Sequence, residues 1–274
     1  SSDLLRQPER VVYVMTALFV LMNCAAFAYE FYYLAALPVL AAGIWLMLMR
    51  PSKMVLFIAF LTPLTIWQPF PELGGISIIF PTEPIIAGMM LLFWTQQLIR
   101  PNYDMRRLRH PLAVVILINL GWILLTAFTS TMPAVSFKFF LSRLWYITVF
   151  FMMGLVIFER YTNIKWFLGL YAVGLLPVIG YTLVRHAEKG FSHPFATLSM
   201  TPFFSGHGVY ATAIAMLMPM LLLMFYYSST FGLKARMKYA ALIMLGIFMV
   251  AVIFSYSWAS WISLGVAFGA YLIF

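Results

Sequence analysis

The chain has 274 residues, of which 64% are hydrophobic and only 9% are charged, and its formal net charge is +9. Soluble globular domains carry about 25% charged residues, so the composition excludes that class. The basic residues form short clusters between apolar runs, which is typical of topology signals and not of a nucleic-acid-binding surface. No nucleic-acid partner is therefore expected, whereas membrane lipids are.

The apolar runs are long enough to cross about 30 Å of hydrocarbon as helices. They are continuous, whereas the strands of a transmembrane barrel alternate apolar and polar residues. The sequence therefore predicts an all-α, polytopic helical membrane protein with about ten transmembrane helices in a single domain, 1–274. The predicted spans are residues 11–28, 31–49, 54–67, 81–99, 111–128, 137–158, 166–184, 209–227, 239–254 and 258–274.

Two segments near the N-terminal half have alternative interpretations. Ala26-Phe27-Ala28 resembles a signal-peptide cleavage site, although the run before it leads directly into a second span, as in a tight helical hairpin. Residues 68–83 are rich in proline and contain a Gly-Gly pair, which predicts an interfacial or re-entrant loop. At its end, Thr82 is the expected N-cap of the fourth span. Glu83 is expected beside that helix terminus, and a proton or cation site is the alternative.

The distribution of basic residues predicts the orientation of the chain. Ten spans place thirteen Lys and Arg residues on one side and four on the other, so the positive-inside rule puts the N-terminus in the cytoplasm. The thirteen are Arg6, Arg10, Arg50, Lys53, Arg100, Arg106, Arg107, Arg109, Arg160, Lys165, Lys234, Arg236 and Lys238. The four outward residues are Lys138, Arg143, Arg185 and Lys189.

These four outward residues are the first candidates for a ligand site, because ionisable side chains at membrane depth are expensive and usually functional. Lysine and arginine near the outer interface suit an anionic group such as the phosphates of a lipid-linked substrate. The alternative is snorkelling to lipid headgroups. For Lys138 both interpretations stay open. Arg143, about two turns into its predicted helix, favours a specific role.

The loop of residues 185–210 holds three of the four histidines, His186, His193 and His207. Their spacing matches no compact zinc pattern, so no metal is expected. His207 stands between two glycines just before a predicted helix, where N-terminal amides can bind phosphate. Substrate binding or proton transfer is one interpretation of His207, and a polar cap is the other. His193-Pro194 predicts a turn. The outward side contains no complete catalytic set.

Several segments resemble the O-antigen ligase and polymerase family of bacterial envelope glycan enzymes. They are PTEPIIAGMMLLF from Pro81, SFKFFLSRLWYITVFF from Ser136, FFSGHGVYATAIAMLMP from Phe203 and FSYSWASWISL from Phe254. The resemblance extends over about residues 55–270. It implies a bacterial inner-membrane enzyme that takes a glycan from an undecaprenyl-diphosphate carrier. The acceptor, on the periplasmic side, is lipid A–core or a growing glycan, and neither a metal nor a nucleotide cofactor is needed.

The resemblance also implies site residues. Outward arginines of the family ligases hold the donor diphosphate, and a histidine in a late periplasmic loop assists the acceptor hydroxyl. Here the four outward basic residues are expected to hold the donor diphosphate, and His207 is expected to line the outward cavity. His207 precedes the Ser-Arg-like turn and is not equated with the family's late histidine, so the catalytic residue stays unknown, with His207 as one possibility. Ser255, Ser257 and Trp258 lie in a short turn that is similar to the family's Ser-Arg-Ala segment. Trp258 stands at the arginine position and cannot supply its charge.

The late periplasmic loop is not found in this sequence. The chain begins without methionine and stops inside an apolar run at Phe274, so we expect it to be the N-terminal part of a longer protein. Three alternatives remain open. One is a chain-extending polymerase, and another is a transporter or flippase for a lipid-linked glycan, although Pro63, Pro177 and Pro219 form no matching repeat. The third is a non-catalytic relative, which Trp258 favours.

Overall fold

The computed structural model describes residues 13–14, 16–25, 37–70, 76–101, 103–230 and 232–273. Most of these residues are helical, as predicted, and a single short sheet is the exception within the described ranges. The chain forms two compact units, 1–53 and 54–274. The Ala26-Phe27-Ala28 segment and the Gly-Gly pair at 74–75 lie outside the described residues.

The helices are named in chain order. α1 covers Thr16–Ala25, and α2 covers Leu37–Met49. They are followed by α3 (Pro51–Leu61), α4 (Thr82–Ile99), α5 (Pro111–Phe128), α6 (Pro133–Tyr146), α7 (Gly154–Ile157), α8 (Tyr161–Ala187), α9 (His193–Ser199), α10 (His207–Tyr226), α11 (Ala235–Phe254) and α12 (Trp258–Ile273). A π-helical segment, Ile147–Met153, joins α6 to α7, and 3₁₀ turns form at Thr62–Leu64 and Met105–Arg109.

Among the described residues, five helices are long and apolar enough to cross a membrane. They are α5, the continuous helix Pro133–Ile157, α8, α10 and α11. In hydrocarbon, only such hydrogen-bonded elements leave no backbone group without a partner. The protein is therefore a helical membrane protein. The other predicted spans correspond to shorter or more polar helices, so the total of ten stays a prediction.

The five membrane helices agree with the predicted spans except at their first turns. α5 begins at Pro111 as predicted, and His110 caps it by accepting a hydrogen bond from the amide of Leu112 (3.3 Å). α6 begins at Pro133 rather than Phe137, and α8, α10 and α11 also begin two to five residues early. Their first turns contain polar or basic residues, which lower hydropathy without preventing helical hydrogen bonds at an interface.

Most of the described part of 68–83, predicted to be an interfacial or re-entrant loop, is a two-stranded antiparallel hairpin; its position relative to a membrane interface stays a prediction. Strand β1 (Ile66–Phe70) pairs antiparallel with β2 (Ile76–Phe80). Pro63 lies in the 3₁₀ turn that ends the third predicted span early, as a residue without a backbone N–H would. Pro69 lies within β1, and because proline argues against a strand, the hairpin was not predicted. The all-α prediction is therefore wrong for this hairpin alone among the described elements.

The main core of the second unit lies between α8, α10, α11 and α12 and is built from aliphatic and aromatic side chains. Leu175, Ile214, Met218 and Phe248 are fully buried there. At Gly174, α8 approaches the segment that leads into the hairpin so closely that an added Cβ would lie 2.2 Å from the carbonyl oxygen of Phe60. Glycine is required at this backbone contact.

The loops of the second unit lie at two opposite ends of its helices. The end that carries β1, β2, the 185–210 loop and the turn at 255–257 is named the hairpin end. There Trp67 of β1 lines a pocket with Phe203, and the hydroxyl of Tyr256 donates to the carbonyl of Phe191 (2.8 Å). At the second, the basic end, Arg107 pairs with Glu159 (2.6 Å). The hydrogen bond that Arg107 donates to the Glu159 carboxylate raises the pKa of Arg107.

We expect Gly174→Ala to destabilise the protein, because the clashing partner is backbone and the helices must move apart. Overpacking of this kind costs about 1–3 kcal/mol. Thermal unfolding in detergent should show a lower Tm. The matched control is Gly180→Ala in the same helix, where an added Cβ meets no atom within 4 Å. Equal Tm values for the two variants would contradict the close approach at Gly174.

Candidate functional site

A buried carboxylate connects three elements at the hairpin end. We name Glu83, Lys138, Ser142 and Ile79 the Glu83 junction. One carboxylate oxygen of Glu83 accepts the backbone N–H of Ile79 (2.8 Å), and the other accepts from Nζ of Lys138 (2.6 Å). Ser142 Oγ also lies 3.1 Å from that second oxygen. The side chain of Glu83 is only 4% exposed.

The junction bears on two details of the sequence analysis. Thr82 is the first residue of α4 and not its N-cap, which is Pro81 and makes no side-chain cap bond. Lys138, for which phosphate binding and snorkelling both stayed open, is partly buried and paired with Glu83. The spacing of 55 residues between these two partners left no signal in the sequence.

Arg143 lies in a cleft of about 880 Å³ between α5 and the helix Pro133–Ile157. Arg143 lies ten residues after Pro133, the first residue of α6, which is about 15 Å along the helix axis. Its distance from the start of the helix is therefore longer than the two turns predicted. The other lining residues are Val115, Ile116, Asn119, Ile123, Phe139, Tyr146, Ile147, Phe150 and Phe151. Arg143 is the one charged residue in this set.

Among the described residues, Arg143 has no hydrogen-bond or ion-pair partner, and its contact is the ring of Phe139, 4.9 Å away. An arginine keeps its charge at any ordinary pH, and an uncompensated charge at membrane depth is costly. An anion that entered the cleft would offset this cost. Asn119, on the facing helix, adds a neutral hydrogen-bonding group that the sequence analysis did not single out.

The wall of the cleft below Arg143 is the π-helical segment Ile147–Met153. Single-turn π segments inside α-helices are frequent at functional sites. The rings of Tyr146 and Phe150 stack there with centroids 6.0 Å apart, and Phe150 also meets Phe167 of α8 edge to face at 6.3 Å. The result is an aromatic surface that continues from the charged group towards the basic end.

Arg185 and Lys189, predicted to bind the same anion, have different environments. Arg185 donates from Nη1 to the carbonyl of Thr201 (2.6 Å) and to the hydroxyl of Tyr181 (2.9 Å). It therefore anchors the segment before α10. Lys189 is exposed, and its Nζ lies 5.6 Å from the ring centroid of Phe195.

The three histidines of the 185–210 loop do not converge on a metal. Among the described residues, no three His, Cys, Asp or Glu side chains form a group that could hold one. His186 is buried, and its Nε2–H donates to the carbonyl of Ser192 (3.0 Å). His193 begins α9, so the predicted turn at His193-Pro194 is wrong, because proline suits the first turn of a helix.

His207 is the first residue of α10, with Gly206 as the N-cap, close to the predicted boundary. Its Nδ1 lies 3.0 Å from Oγ1 of Thr197 in a shared hydrogen bond. That contact fixes the ring orientation and leaves Nε2 for another partner. His207 is half-buried.

The predicted turn at 255–257 is confirmed, but its serines face inward. Ser255 donates to the carbonyl of Val252 (2.6 Å), and Ser257 Oγ lies 3.1 Å from that of Ser260. Trp258 points outward and is 71% exposed. These serine contacts tie the turn to the end of α11 and the start of α12.

Tyr256, within that turn, is a residue that the sequence analysis missed. It has a positive φ of 53°, which is uncommon for a residue with a side chain. Its ring packs 5.1 Å from that of His193, and its hydroxyl holds the carbonyl of Phe191. Tyr256 thus links the turn to the 185–210 loop.

We expect Arg185→Met to loosen the segment before α10, because it removes charged hydrogen bonds worth about 1.5–3 kcal/mol. The control is Lys189→Met, which removes an exposed cation and should change stability by less than about 0.5 kcal/mol. Thermal unfolding of both variants measures the difference. If Arg185→Met were as stable as the control, the anchor at Thr201 would be refuted.

Three groups of side chains could take part in ligand binding or proton transfer. Arg143 in its cleft, the Glu83 junction and His207 are the groups that the structure offers. No protein-family model, curated protein or solved structure matches the chain.

Proposed function

We propose that this chain is the membrane part of an O-antigen ligase-like glycosyltransferase. It would transfer a glycan from an undecaprenyl-diphosphate carrier to lipid A–core or a related acceptor. The reaction would take place at the periplasmic face of the bacterial inner membrane. The observation that carries the proposal is Arg143, an exposed arginine in an apolar cleft of about 880 Å³, on a helix long and apolar enough to cross a membrane.

The chemistry of the cleft suits an amphiphilic anion. A guanidinium holds phosphate oxygens by short, charge-assisted hydrogen bonds. The aliphatic and aromatic walls around Arg143 suit a hydrocarbon tail in contact with them. Leu117, Ile118 and Trp122 of α5 are well exposed and would face lipid, so an amphiphile would reach the cleft from the bilayer. A lipid-linked diphosphate combines both features in one molecule.

The transfer step would proceed by displacement at the anomeric carbon. The acceptor hydroxyl oxygen forms a bond to that carbon while the bond to the diphosphate oxygen breaks. The diphosphate leaves with the bonding electron pair, and Arg143 stabilises the negative charge that develops on it. The acceptor proton passes to a base. His207, oriented by Thr197, does not line the Arg143 cleft, so it is proposed only as the candidate base of the 185–210 loop.

The proposed orientation has ten spans, with the N-terminus in the cytoplasm and the hairpin end towards the periplasm. The uneven distribution of basic residues supports it. Arg107, Glu159 and Lys238 all lie at helix ends opposite the hairpin end, in the connections assigned to the cytoplasm. Lys189 and the 185–210 loop would then face the acceptor.

We expect Arg143→Ala to raise the KM for the lipid-linked donor at least about tenfold, because a charged hydrogen bond is worth about 1.5–3 kcal/mol. Arg143→Lys should retain part of the affinity. The measurement is glycan transfer by the complete protein in proteoliposomes at varied donor concentration. Arg160→Ala, an exposed arginine at the basic end, is the matched control. An unchanged donor KM in Arg143→Ala would remove it from the site.

We expect cysteines at the two ends to label from opposite sides of the membrane. In a Cys24→Ser background, Lys189→Cys should react with a membrane-impermeant maleimide added to spheroplasts. Arg106→Cys should react only after lysis. Both side chains are exposed, so accessibility to water is comparable. The reverse pattern would invert the proposed orientation and place the 185–210 loop in the cytoplasm.

A further inference from the structure

The Glu83 junction contains charges that the proposed transfer step does not use. Glu83 and Lys138 form an ion pair with side chains 4% and 24% exposed. Burying such a pair gives little net stability, and apolar residues of similar size often serve as well or better. The pair connects α4 to α6, while the hydrogen bond from Ile79 adds β2. The ion pair therefore matters more for the relative arrangement of α4, α6 and β2 than for the stability of the protein.

The helix that carries Lys138 presents two different faces. Lys138, Ser142, Trp145 and Val149 recur at intervals of three or four residues, and this face packs inward, with Trp145 and Val149 buried. Lys138 and Ser142 meet α4 through Glu83. One residue further along is Arg143, and consecutive residues of an α-helix are about 100° apart.

Phe139, Arg143, Tyr146, Ile147 and Phe150 form the second face, which lines the cleft. The contacts of Lys138 and Ser142 fix the rotation of the helix about its axis. They therefore also fix the direction in which the Arg143 side chain points. A second hydrogen bond from α4 supports the same rotation further along the helix: the indole N–H of Trp94 donates to Oγ1 of Thr148 (3.3 Å).

Arg143 makes no hydrogen bond or ion pair with a described residue. Its cation–π contact is with the Phe139 ring on its own helix, 4.9 Å away, and this contact rotates with the helix. Its position in the cleft consequently depends on the contacts of the opposite face.

We propose that Glu83, together with Lys138 and Ser142, is a positioning group for Arg143. The ion pair sets the rotation of α6 so that the guanidinium enters the cleft, and it neutralises Lys138 so that the anion meets Arg143 alone. This inference rests on the proposed function, since it assigns Arg143 to the lipid-linked diphosphate. Glu83 itself does not touch the ligand.

The test uses the intact protein in lipid nanodiscs and farnesyl diphosphate, a short prenyl diphosphate, as the binding probe. Glu83→Gln alone leaves a partly buried lysine without its ion-pair partner and can destabilise the protein. The informative variant is therefore the neutral pair Glu83→Gln/Lys138→Met, which removes both charges together. We expect it to stay folded and to bind the probe about fivefold more weakly by titration calorimetry. Lys138→Arg preserves the ion pair and should bind within twofold of the wild type.

A double-mutant cycle distinguishes positioning from general stabilisation. In an Arg143→Ala background, the neutral pair should change the Kd of the probe by less than twofold, because nothing remains to be positioned. In transfer assays, the neutral pair should raise the donor KM by a similar factor and also lower kcat, because Arg143 stabilises the charge that develops on the leaving diphosphate. A full, independent effect in the Arg143→Ala background would overturn the inference, and so would unaltered binding by the neutral pair.

The two proposals fail in different ways. If Arg143→Ala binds the probe as tightly as the wild type, the proposed donor site is wrong, and the positioning role falls with it. If Arg143→Ala weakens binding but the neutral pair does not, the donor site stands and only the positioning role is lost. If the probe binds as expected and no glycan is transferred, the proposed reaction is wrong while the positioning of Arg143 stands.

Discussion

A carboxylate that is nearly excluded from solvent must have a hydrogen-bond donor for each of its oxygens, and Glu83 meets this requirement with groups from two other elements. Ile79 donates from the hairpin, and Lys138 and Ser142 approach from α6. The hairpin, α4 and α6 are thereby held in one arrangement at the hairpin end. The same requirement determines which side of α6 faces the cleft, since the residues that reach Glu83 cannot also face α5.

The four outward basic residues illustrate how the same charge serves different purposes. Lys138 neutralises a buried carboxylate, and Arg185 holds the carbonyl of Thr201 with hydrogen bonds. Lys189 lies exposed at the surface. Arg143 is also exposed, but among the four it alone lines the apolar cleft of about 880 Å³, on a helix long and apolar enough to cross a membrane, and it has no polar partner among the described residues. That difference is the physical basis for assigning the ligand to Arg143 and not to the group as a whole.

The 185–210 loop has a more structural role than its histidines indicated. His186 is buried and donates to the carbonyl of Ser192, and His193 packs against Tyr256. These contacts tie the loop to the turn before α12. His207 keeps a free ring nitrogen beside an N-terminal helix turn, and it remains the group of this loop that suits proton transfer.

Hydropathy and charge were sufficient for the membrane class, for α5, α8, α10 and α11 to within a few residues at each end, and for the turn at 255–257. They act through local composition, so the sequence by itself determines them. The hairpin was not predicted, because Pro69 argues against a strand at β1, and the pairing of β1 with β2 is a tertiary contact that local composition does not specify. Likewise, the Glu83–Lys138 pair joins residues 55 positions apart, and Tyr256 acts through a contact with Phe191. The sequence placed Arg143 in the membrane. Only the packing of α4, α5 and α6 decided that it faces a cleft without a partner, because the rotation of a helix is fixed by what its other face touches.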